Sequence, residues 1–405
     1  MSSLFSSKII LFLGIFLLIS CDQILPSIIT ADELIDRPIE GLSIEQNRLF
    51  IEGAKEFDEV YIRETGLGPI FVSTSCSNCH SGANRGHPLT LLTRFGQSDT
   101  FGNNFLNKGA PQLQNNFITG YQAERIPAGA TFTKLIAPIV SGNGLLELVS
   151  ETDILKLSDP NDENSDGISG KVNWNTIPSW IVPSSTAQTQ NGKYICRFGR
   201  KASTYNLIQQ CAQAFNQDIG ITTTLLPYSP VNYLDGLNSS PISDLDITDR
   251  SLNATVFYIQ TLQEPIQRNT SDQLVIEGAQ IFKKIQCNAC HVEKLQTSYS
   301  PISALNKKEF FPYTDLLLHD MGSELDDQYT EGTAMAYEWR TTPLWGLGLA
   351  KKSQGNELYL MHDGRARSIE DAILLHGGES AISKTNFKQL SESEKKSLIK
   401  FLESL

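Results

Sequence analysis

The chain has 405 residues, a formal net charge of −12 and a hydrophobic content of 40%. This length and apolar content suffice for one large domain or two ordinary ones. The acidic balance and the lack of a long basic run argue against a nucleic-acid-binding protein and in favour of a soluble folded chain.

The first residues are typical of an export signal. The apolar run at residues 9–19 is shorter than the roughly 20 residues that a membrane-spanning helix needs. It ends in a small residue and Cys21, which resembles a bacterial lipoprotein signal whose cysteine is lipidated. We therefore predict a signal peptide at residues 1–20, a tether at 21–42 and a lipid anchor at Cys21. The protein would lie on the periplasmic or surface side of a bacterial membrane; an ordinary cleaved signal is the alternative.

Two short motifs carry the chemistry of the chain. Residues 76–80 read CSNCH and residues 287–291 read CNACH, and we call them the first and second motif. This spacing is the attachment pattern of c-type haem, in which two thiols bind the porphyrin and the next imidazole takes the proximal position on the iron. Zinc binding by the cysteine pairs is disfavoured by the histidine that follows each pair. The predicted haem c residues are Cys76, Cys79, His80, Cys287, Cys290 and His291.

A similar helical segment precedes each motif. Residues 51–57 read IEGAKEF and residues 276–282 read IEGAQIF, which agree at five of seven places. The first half carries an extra loop at residues 61–75, directly before its motif, where it is placed to shape a haem pocket. The repetition predicts an internal duplication.

The predicted fold is mainly α with long ordered loops and contains two cytochrome c-like haem domains. A polar, proline-containing stretch divides residues 43–265 from residues 266–405. Ser43 with Gln46 forms a capping box at the first helix, and residues 391–405 form a capped amphipathic helix at the end. Many turn residues interrupt the first half, so we expect covalent haem to replace part of an ordinary core there.

His376 is the candidate sixth ligand of the second haem. Residues 198–203 (FGRKAS) and 363–368 (DGRARS) each open a helical pattern. In the later one, Ser368 caps the helix, Asp371 returns the capping box, and His376 projects from the buried face. A second histidine ligand would give a low-spin site of lower potential than a His/Met pair. A core histidine without a ligand role is the alternative.

The remaining candidate ligands are less determined by the sequence, which contains six histidines. His87 follows the first motif closely, and His319 and Met321 share a loop that could supply a sixth ligand to the first haem from the other half. His362 lies in a turn and is predicted to hydrogen-bond a propionate or ligand. Arg365 is predicted to pair with a haem propionate. A plain structural turn is the alternative for both.

An acidic loop at residues 159–170 matches the start of a calcium-binding loop. Asp162, Asn164 and Asp166 stand at alternating positions before a glycine, as oxygen ligands do in such loops. Asn173 stands where a complete EF-hand has glutamate. We expect a calcium site, with a solvated acidic turn as the alternative.

Two cysteines lie outside the leader and the motifs. Cys196 and Cys211 would close a modest loop if they formed a disulfide, which export permits. Two free, buried thiols are the alternative.

Together these residues resemble the bacterial di-haem oxidoreductases, peroxidase-like proteins also called thiol oxidoreductases and similar to di-haem cytochrome c peroxidases. The resemblance implies an enzyme that reduces peroxide or oxidises a substrate at the first haem. The second haem would exchange electrons with a small redox-partner protein or a quinone-linked donor or acceptor. The alternative is a non-catalytic, membrane-anchored electron-transfer cytochrome. The matching stretches are LGPIF at 67–71, GLLE at 144–147, residues 159–170, RFG at 197–199, DIGIT at 218–222, PYTDLLLHDMG at 312–322, EWRTTPLWG at 338–346 and HDGRAR at 362–367 with His376 beyond.

The resemblance also bears on catalysis. Peroxide cleavage needs a group that moves a proton between the two oxygens, and Glu147 or His87 is placed to do so, although each is open to a purely structural reading. Relatives have tryptophan where Arg200 stands, and in the peroxidases that aromatic relays electrons between the haems. Either electron transfer is direct here, or another aromatic takes that place: Trp174, Trp180, Trp339 or Trp345.

Overall fold

A computed structural model of the chain describes residues 35–97, 99, 102–235 and 245–405. The predicted signal peptide and the lipidation site Cys21 lie outside these residues. No described helix is long and apolar enough to cross a membrane. The last part of the predicted tether is packed, because Ile39 is buried and its N–H donates to the carbonyl of Thr261 at 2.8 Å.

The helices of the described chain are short apart from four longer ones. In chain order they are α1 (Ile44–Asp58), α2 (Cys76–Cys79), α3 (Asn143–Glu147), α4 (Glu151–Leu157), α5 (Leu207–Ala214), α6 (Asp249–Thr261), α7 (Gln273–Lys284), α8 (Ala350–Ser353), α9 (Ile369–Leu374), α10 (Ala381–Lys388) and α11 (Glu392–Ser404). The predicted caps at Ser43, Ser368 and Ser391 are confirmed. At α9, however, Asp371 accepts from the N–H of Arg367 instead of that of Ser368.

Two long helix pairs cross at matched glycines. α1 packs on α6 and α7 packs on α11. A Cβ placed on Gly53 would lie 2.0 Å from the carbonyl oxygen of Ala254, and one on Gly278 would lie 2.1 Å from that of Ser397. Both distances are far below van der Waals contact, so only glycine allows the two backbones to approach this closely. The two IEGA segments therefore make the same kind of crossing.

Short antiparallel strands connect these helices. They are β1 (Ile70–Phe71), β2 (Leu92–Phe95), β3 (Asn116–Phe117), β4 (Phe132–Leu135), β5 (Asn173–Asn175), β6 (Thr189–Gln190), β7 (Lys193–Cys196), β8 (Leu295–Gln296), β9 (Glu309–Phe310), β10 (Leu318–Asp320) and β11 (Glu338–Arg340). They pair as β1–β3, β2–β4, β5–β7–β6, β8–β9 and β10–β11.

The structure is 36% helix and 12% strand, so the fold is mixed and the prediction of a mainly α fold was only partly right. The glycines and prolines that punctuate the short apolar runs limit each strand to a few residues, but the runs still pair. Helix α5 also starts later than its pattern suggested, at Leu207 with Asn206 as its cap, because residues 198–204 form a turn closed by a bridge between Phe198 and Thr204. The division into two haem domains stays a prediction.

The core contains two large apolar clusters. One packs around α1, α5 and α6 next to the first motif, and the other around α7, α9 and α11 next to the second.

Cys196 and Cys211 are buried and unbonded, so the free-thiol alternative describes them here. The extra loop of the first half is fastened to the turn that follows α5: the N–H of Gly68 donates to the carbonyl of Ile219 at 3.2 Å.

Candidate haem-binding sites

The second motif lies in the wall of a cavity that is partly open to solvent. The motif begins a short 3₁₀ turn, Cys287–Ala289, directly after α7 ends. Both motif cysteines and His291 line the cavity, together with His376 from just beyond α9. The predicted attachment residues and the predicted sixth ligand therefore face one space, which we call the second cavity.

His291 and His376 line this cavity with the same hydrogen-bonding arrangement. Nδ1 of His291 donates to the carbonyl of Tyr313 at 2.9 Å, and Nδ1 of His376 donates to that of Ala372 at 2.7 Å. Because a carbonyl only accepts, the proton of each neutral ring is on Nδ1 and Nε2 keeps its lone pair. Burial lowers the pKa of His291 to about 4 and also lowers that of His376, so both rings are neutral. Metal-ligating histidines commonly have this arrangement.

Three buried arginines, which we call the arginine cluster, line the same cavity: Arg85, Arg200 and Arg340. Their partners are backbone carbonyls, as where Nη2 of Arg200 donates to the carbonyl of Ile136 at 2.8 Å. None bonds a carboxylate in the part of the chain that the structure describes, and two of their nitrogens, Arg85 Nε and Arg340 Nη1, have no partner. Burial lowers the pKa of Arg85 to about 10, that of Arg200 to about 9 and that of Arg340 to about 10. Buried cations without counter-ions call for an anionic ligand.

Two stacked rings, those of His362 and Trp339, also line the cavity. The ring of His362 lies parallel to that of Trp339, with 3.7 Å between centroids and 9° between planes. Lys201 Nζ lies 3.8 Å from the Trp339 ring, and two groups this close cannot share a face, so the indole is sandwiched between them. Burial lowers the pKa of His362 to about 3, so its ring is neutral. Trp339, one of the candidate relay residues, lies in this wall, and its neighbour Arg340 donates its N–H to the carbonyl of Arg200 at 3.0 Å.

The first motif forms helix α2, which Ser75 caps by accepting the N–H of Asn78 at 3.1 Å. His80 follows directly, and burial lowers its pKa to about 4. Its ring lies 6.3 Å from that of Phe57, just as the ring of His291 lies 6.4 Å from that of Phe282. The two motifs therefore hold their histidines against equivalent aromatic residues. The positive charge of Arg200 also contributes to lowering the pKa of His80.

Comparison with known proteins agrees with this geometry. Residues 131–405 match the family model described as "Di-haem oxidoreductase, putative peroxidase". This chain belongs to the di-haem oxidoreductase family. The matched part includes the second motif and His376 and begins after the first motif. The chain is accordingly a haem-dependent redox enzyme whose particular reaction the family does not define.

No curated protein matches the chain. Among solved structures, it is similar to the hydrazine synthase of Kuenenia stuttgartiensis, solved under 20 bar of xenon, with 15% identity and a TM-score of 0.38. That alignment covers 93% of this chain and 92% of the other, at a similarity too low to support an argument.

The residues fit the haem groups that the family implies. In the second cavity, a pair of cysteines faces two neutral imidazoles with free Nε2 atoms, and the arginine cluster offers the charge that propionates need. Cys287 and Cys290 would hold the porphyrin, and His291 and His376 the iron. When bound, such a group supplies single-electron chemistry at its iron.

His319 and Met321 lie at the second cavity and not at the first motif. His319 donates from Nε2 to Asp315 and from Nδ1 to Glu379, both at 2.8 Å, with Cys290 Sγ 3.6 Å from Nδ1. Burial alone would lower its pKa, but these partners raise it far above the ordinary value. With both nitrogens donating, His319 is an imidazolium in this arrangement and has no lone pair for iron, which does not support the role of sixth ligand.

Arg365 does not reach the cavity. Its side chain is 38% exposed, and its Nε donates to the carboxylate of Asp363 at 2.9 Å. The arginine cluster, which sequence reasoning missed as a group, is better placed to meet a propionate in this cavity, and the propionate role of Arg365 stays a prediction. Of the three members, the sequence singled out Arg200, as a departure from the residue that relatives have.

The two predicted proton carriers are both engaged in hydrogen bonds, and their catalytic roles stay predictions. Glu147 accepts the N–H of Leu207 on one oxygen and Nε2 of Gln260 on the other, both at 2.7 Å, although burial raises its pKa. His87 accepts the N–H of Leu89 on Nδ1 at 3.1 Å and packs edge-on against Tyr359, with 4.8 Å between ring centroids. Tyr359 lines the second cavity, so His87 lies beside that cavity.

The acidic loop at 159–170 is largely exposed and is stabilised by hydrogen bonds between its own residues. Asp162 accepts the N–H of Gly167 at 3.1 Å, and Asp166 accepts that of Ile168 at 2.9 Å. Asn164 accepts the N–H of Asp166 at 2.9 Å. These bonds are those of a turn, and a calcium ion there stays a prediction.

Proposed function

We propose that the protein is an exported, lipid-anchored cytochrome with two covalent haem c groups that reduces hydrogen peroxide at the first haem and passes electrons through the second. The observation that carries the proposal is the second cavity, where His291 and His376 both offer Nε2. Two histidine ligands close a site to substrate and suit it to electron transfer. The catalytic role then falls to the other haem.

Accounting for the histidines supports the same assignment. His319, His362 and His376 line the second cavity, and His87 packs on Tyr359 at its edge. This leaves His80 as the histidine of the first site. An iron with one protein ligand can bind a small molecule on its other side, which peroxide reduction requires.

The arginine cluster supports electron exchange between the two sites. Its members face the second cavity, and the charge of Arg200 acts on His80 of the first motif. Paired with propionates, these guanidinium groups would hold both porphyrin edges towards one another. The electron source would be a small redox protein or a quinone-linked donor, at the membrane to which Cys21 anchors the chain.

The test is an EPR and absorption spectrum of the oxidised and half-reduced protein, with peroxide consumption followed in parallel. We expect two haems per chain, one low-spin with two histidines and one high-spin, and peroxide consumption once one electron has been added. Two low-spin haems with no peroxide turnover would contradict the proposal.

That outcome would favour the second candidate, a cytochrome that only transfers electrons. The observation in its favour is Glu147, whose two oxygens are both engaged by hydrogen bonds and are not free to move a proton.

A further inference from the structure

His319 lies beside an attachment cysteine in the wall of the second cavity and is bonded to two carboxylates. Its Nε2 is 2.8 Å from an oxygen of Asp315, and its Nδ1 is 2.8 Å from an oxygen of Glu379. Sγ of Cys290 is 3.6 Å from the same Nδ1, and both His319 and Cys290 line the cavity. We call Asp315, His319 and Glu379 the charged triad.

The hydrogen bonds fix the charge of each member of the triad. A neutral imidazole has one N–H, so only the doubly protonated ring of His319 can donate to both carboxylates. Asp315 also accepts the N–H of Leu317 at 2.9 Å. Glu379 also accepts the N–H and the hydroxyl of Ser169 at 3.0 and 2.7 Å. Such bonds favour ionised carboxylates, so the triad holds one cation and two anions and is negative overall.

The end of the acidic loop covers the charged triad. The side chains of Asp315 and His319 are 2% and 4% exposed, and that of Glu379 is 11% exposed. A Cβ placed on Gly170 would lie 2.7 Å from Cε1 of His319, so the loop packs directly on the ring. Buried charges are little screened by water and act strongly on their surroundings. The negative charge of the triad therefore acts on a group bound in the cavity at Cys290.

The triad also joins three separate segments. His319 is on β10, Glu379 is in the 3₁₀ turn Gly378–Ser380 between α9 and α10, and Ser169 belongs to the acidic loop. A buried network of ions is often no more stabilising than apolar side chains of the same volume. Joining these segments therefore does not by itself account for two buried carboxylates beside an attachment cysteine.

We propose that the charged triad lowers the reduction potential of the second haem, with His319 as the residue that holds both carboxylates beside Cys290. The proposal rests on the proposed function and deepens it by naming what sets the direction of electron flow. A negative charge near iron stabilises the oxidised form, which carries more positive charge. An electron from the redox partner would then pass from the second haem to the iron of the first, which oxidises the one and reduces the other.

The triad and the arginine cluster act in opposite directions on the same cavity. Arg340 on β11 is paired with Leu318 on β10, directly before His319. A buried cation favours reduced iron, whereas the triad favours oxidised iron. Removing a charge from either group should therefore shift the potential with a sign that depends on the charge removed, which a general loss of packing would not do.

Three variants test this sign at constant pH. Glu379→Gln and Asp315→Asn each remove one negative charge and should increase the equilibrium constant for reducing the second haem by about tenfold, which is about 59 mV for one electron. His319→Gln removes the positive charge and should decrease this constant by a similar factor. Glu370→Gln, an exposed change of the same type in α9, is the control and should leave it unchanged. Spectroelectrochemistry gives the potentials.

The opposite signs separate this role from a structural one. If the triad only held segments together, all three variants would lose stability, and their potentials would move in one direction or not at all. The low-spin spectrum should stay unchanged in each variant, because His291 and His376 still offer Nε2. Loss of the low-spin signal in His319→Gln would identify His319 as a ligand and overturn the proposal.

The proposal is also overturned if both carboxylate variants keep the natural potential or lose the second haem, and these two variants decide alone if His319→Gln does not fold. A natural protein that does not reduce peroxide would contradict the proposed function but not this proposal, because the potentials are measured without peroxide. Shifts of opposite sign would then still support the charged triad.

Discussion

The two haem motifs share a scaffold and differ in what surrounds it. Each histidine lies against a phenylalanine from the preceding helix, at 6.3 Å and 50° in the first motif and at 6.4 Å and 55° in the second. Each of those helices crosses another at a glycine that excludes any side chain. The helix before each motif thus holds the motif histidine against a phenylalanine in both places.

The residues around the two motifs differ. Beyond the second motif the chain adds a short capped helix that ends near His376, and the cavity gains a second neutral imidazole. Before the first motif it adds the loop at residues 61–75, which is fastened to the turn carrying Asp218. A second neutral imidazole thus lies in the cavity of the second motif, whereas an added loop precedes the first motif. The following changes test this contrast.

The largest effect is expected from removing either pair of motif cysteines. Cys76→Ala with Cys79→Ala, or Cys287→Ala with Cys290→Ala, should lower the haem content from two to one per chain, since no thioether can form at the altered motif. A pyridine haemochrome assay counts the remaining haem. The first variant should lose peroxide reduction and keep the low-spin signal, whereas the second should lose the low-spin signal. Identical spectra from the two variants would contradict the division of roles.

The next largest effect is a loss of stability, expected at the two glycines where the long helices cross. Gly53→Ala and Gly278→Ala should each lower the free energy of unfolding by roughly 1–3 kcal/mol, because a methyl group cannot enter either crossing without moving the helices. Lys55→Ala and Gln280→Ala, at exposed positions of the same helices, are matched controls that should change little. Denaturant unfolding measures all four. A large loss at one glycine and none at the other would show that the crossings are not equivalent.

His376→Met should raise the reduction potential of one haem. A thioether favours reduced iron more than an imidazole does, and we expect a rise on the order of 0.1 V within the roughly 0.8 V that axial ligands span. Spectroelectrochemistry gives both potentials. His87→Gln serves as the control, because His87 lies outside the cavity wall and accepts only the N–H of Leu89 on its Nδ1. Unchanged potentials in His376→Met would mean that another group is the ligand.

The sequence predicted what local rules determine. Spacing alone identified both motifs, and side-chain caps located α1, α9 and α11 at Ser43, Ser368 and Ser391. It did not predict the short strands, whose pairing joins distant segments, or the engagement of Glu147 by Leu207 and Gln260, 60 and 113 residues away. Such partners follow from tertiary packing, which no local pattern encodes.

The arginines show most clearly that local sequence patterns do not predict tertiary contacts. We predicted a propionate role for Arg365 because it stands in a turn near a histidine. In the structure its side chain is exposed and paired with Asp363. Arg85 carries no local signal, yet it is buried and donates to the carbonyl of Pro343, 258 residues along the chain. Burial without a carboxylate partner, visible only in three dimensions, is what marks the arginine cluster.

The smallest predicted effect compares these two kinds of arginine. Arg340→Gln removes a buried cation that faces the second cavity, and losing positive charge near iron favours its oxidised form. We expect the potential of the second haem to fall by tens of millivolts, on the order of one screened charge at this range. Arg365→Gln should change it less, because Asp363 already neutralises that side chain and solvent screens it. Redox titration measures the shift in both variants. A larger shift for Arg365→Gln would favour Arg365 as the propionate partner and would argue against the arginine cluster as the feature that links the two haem sites.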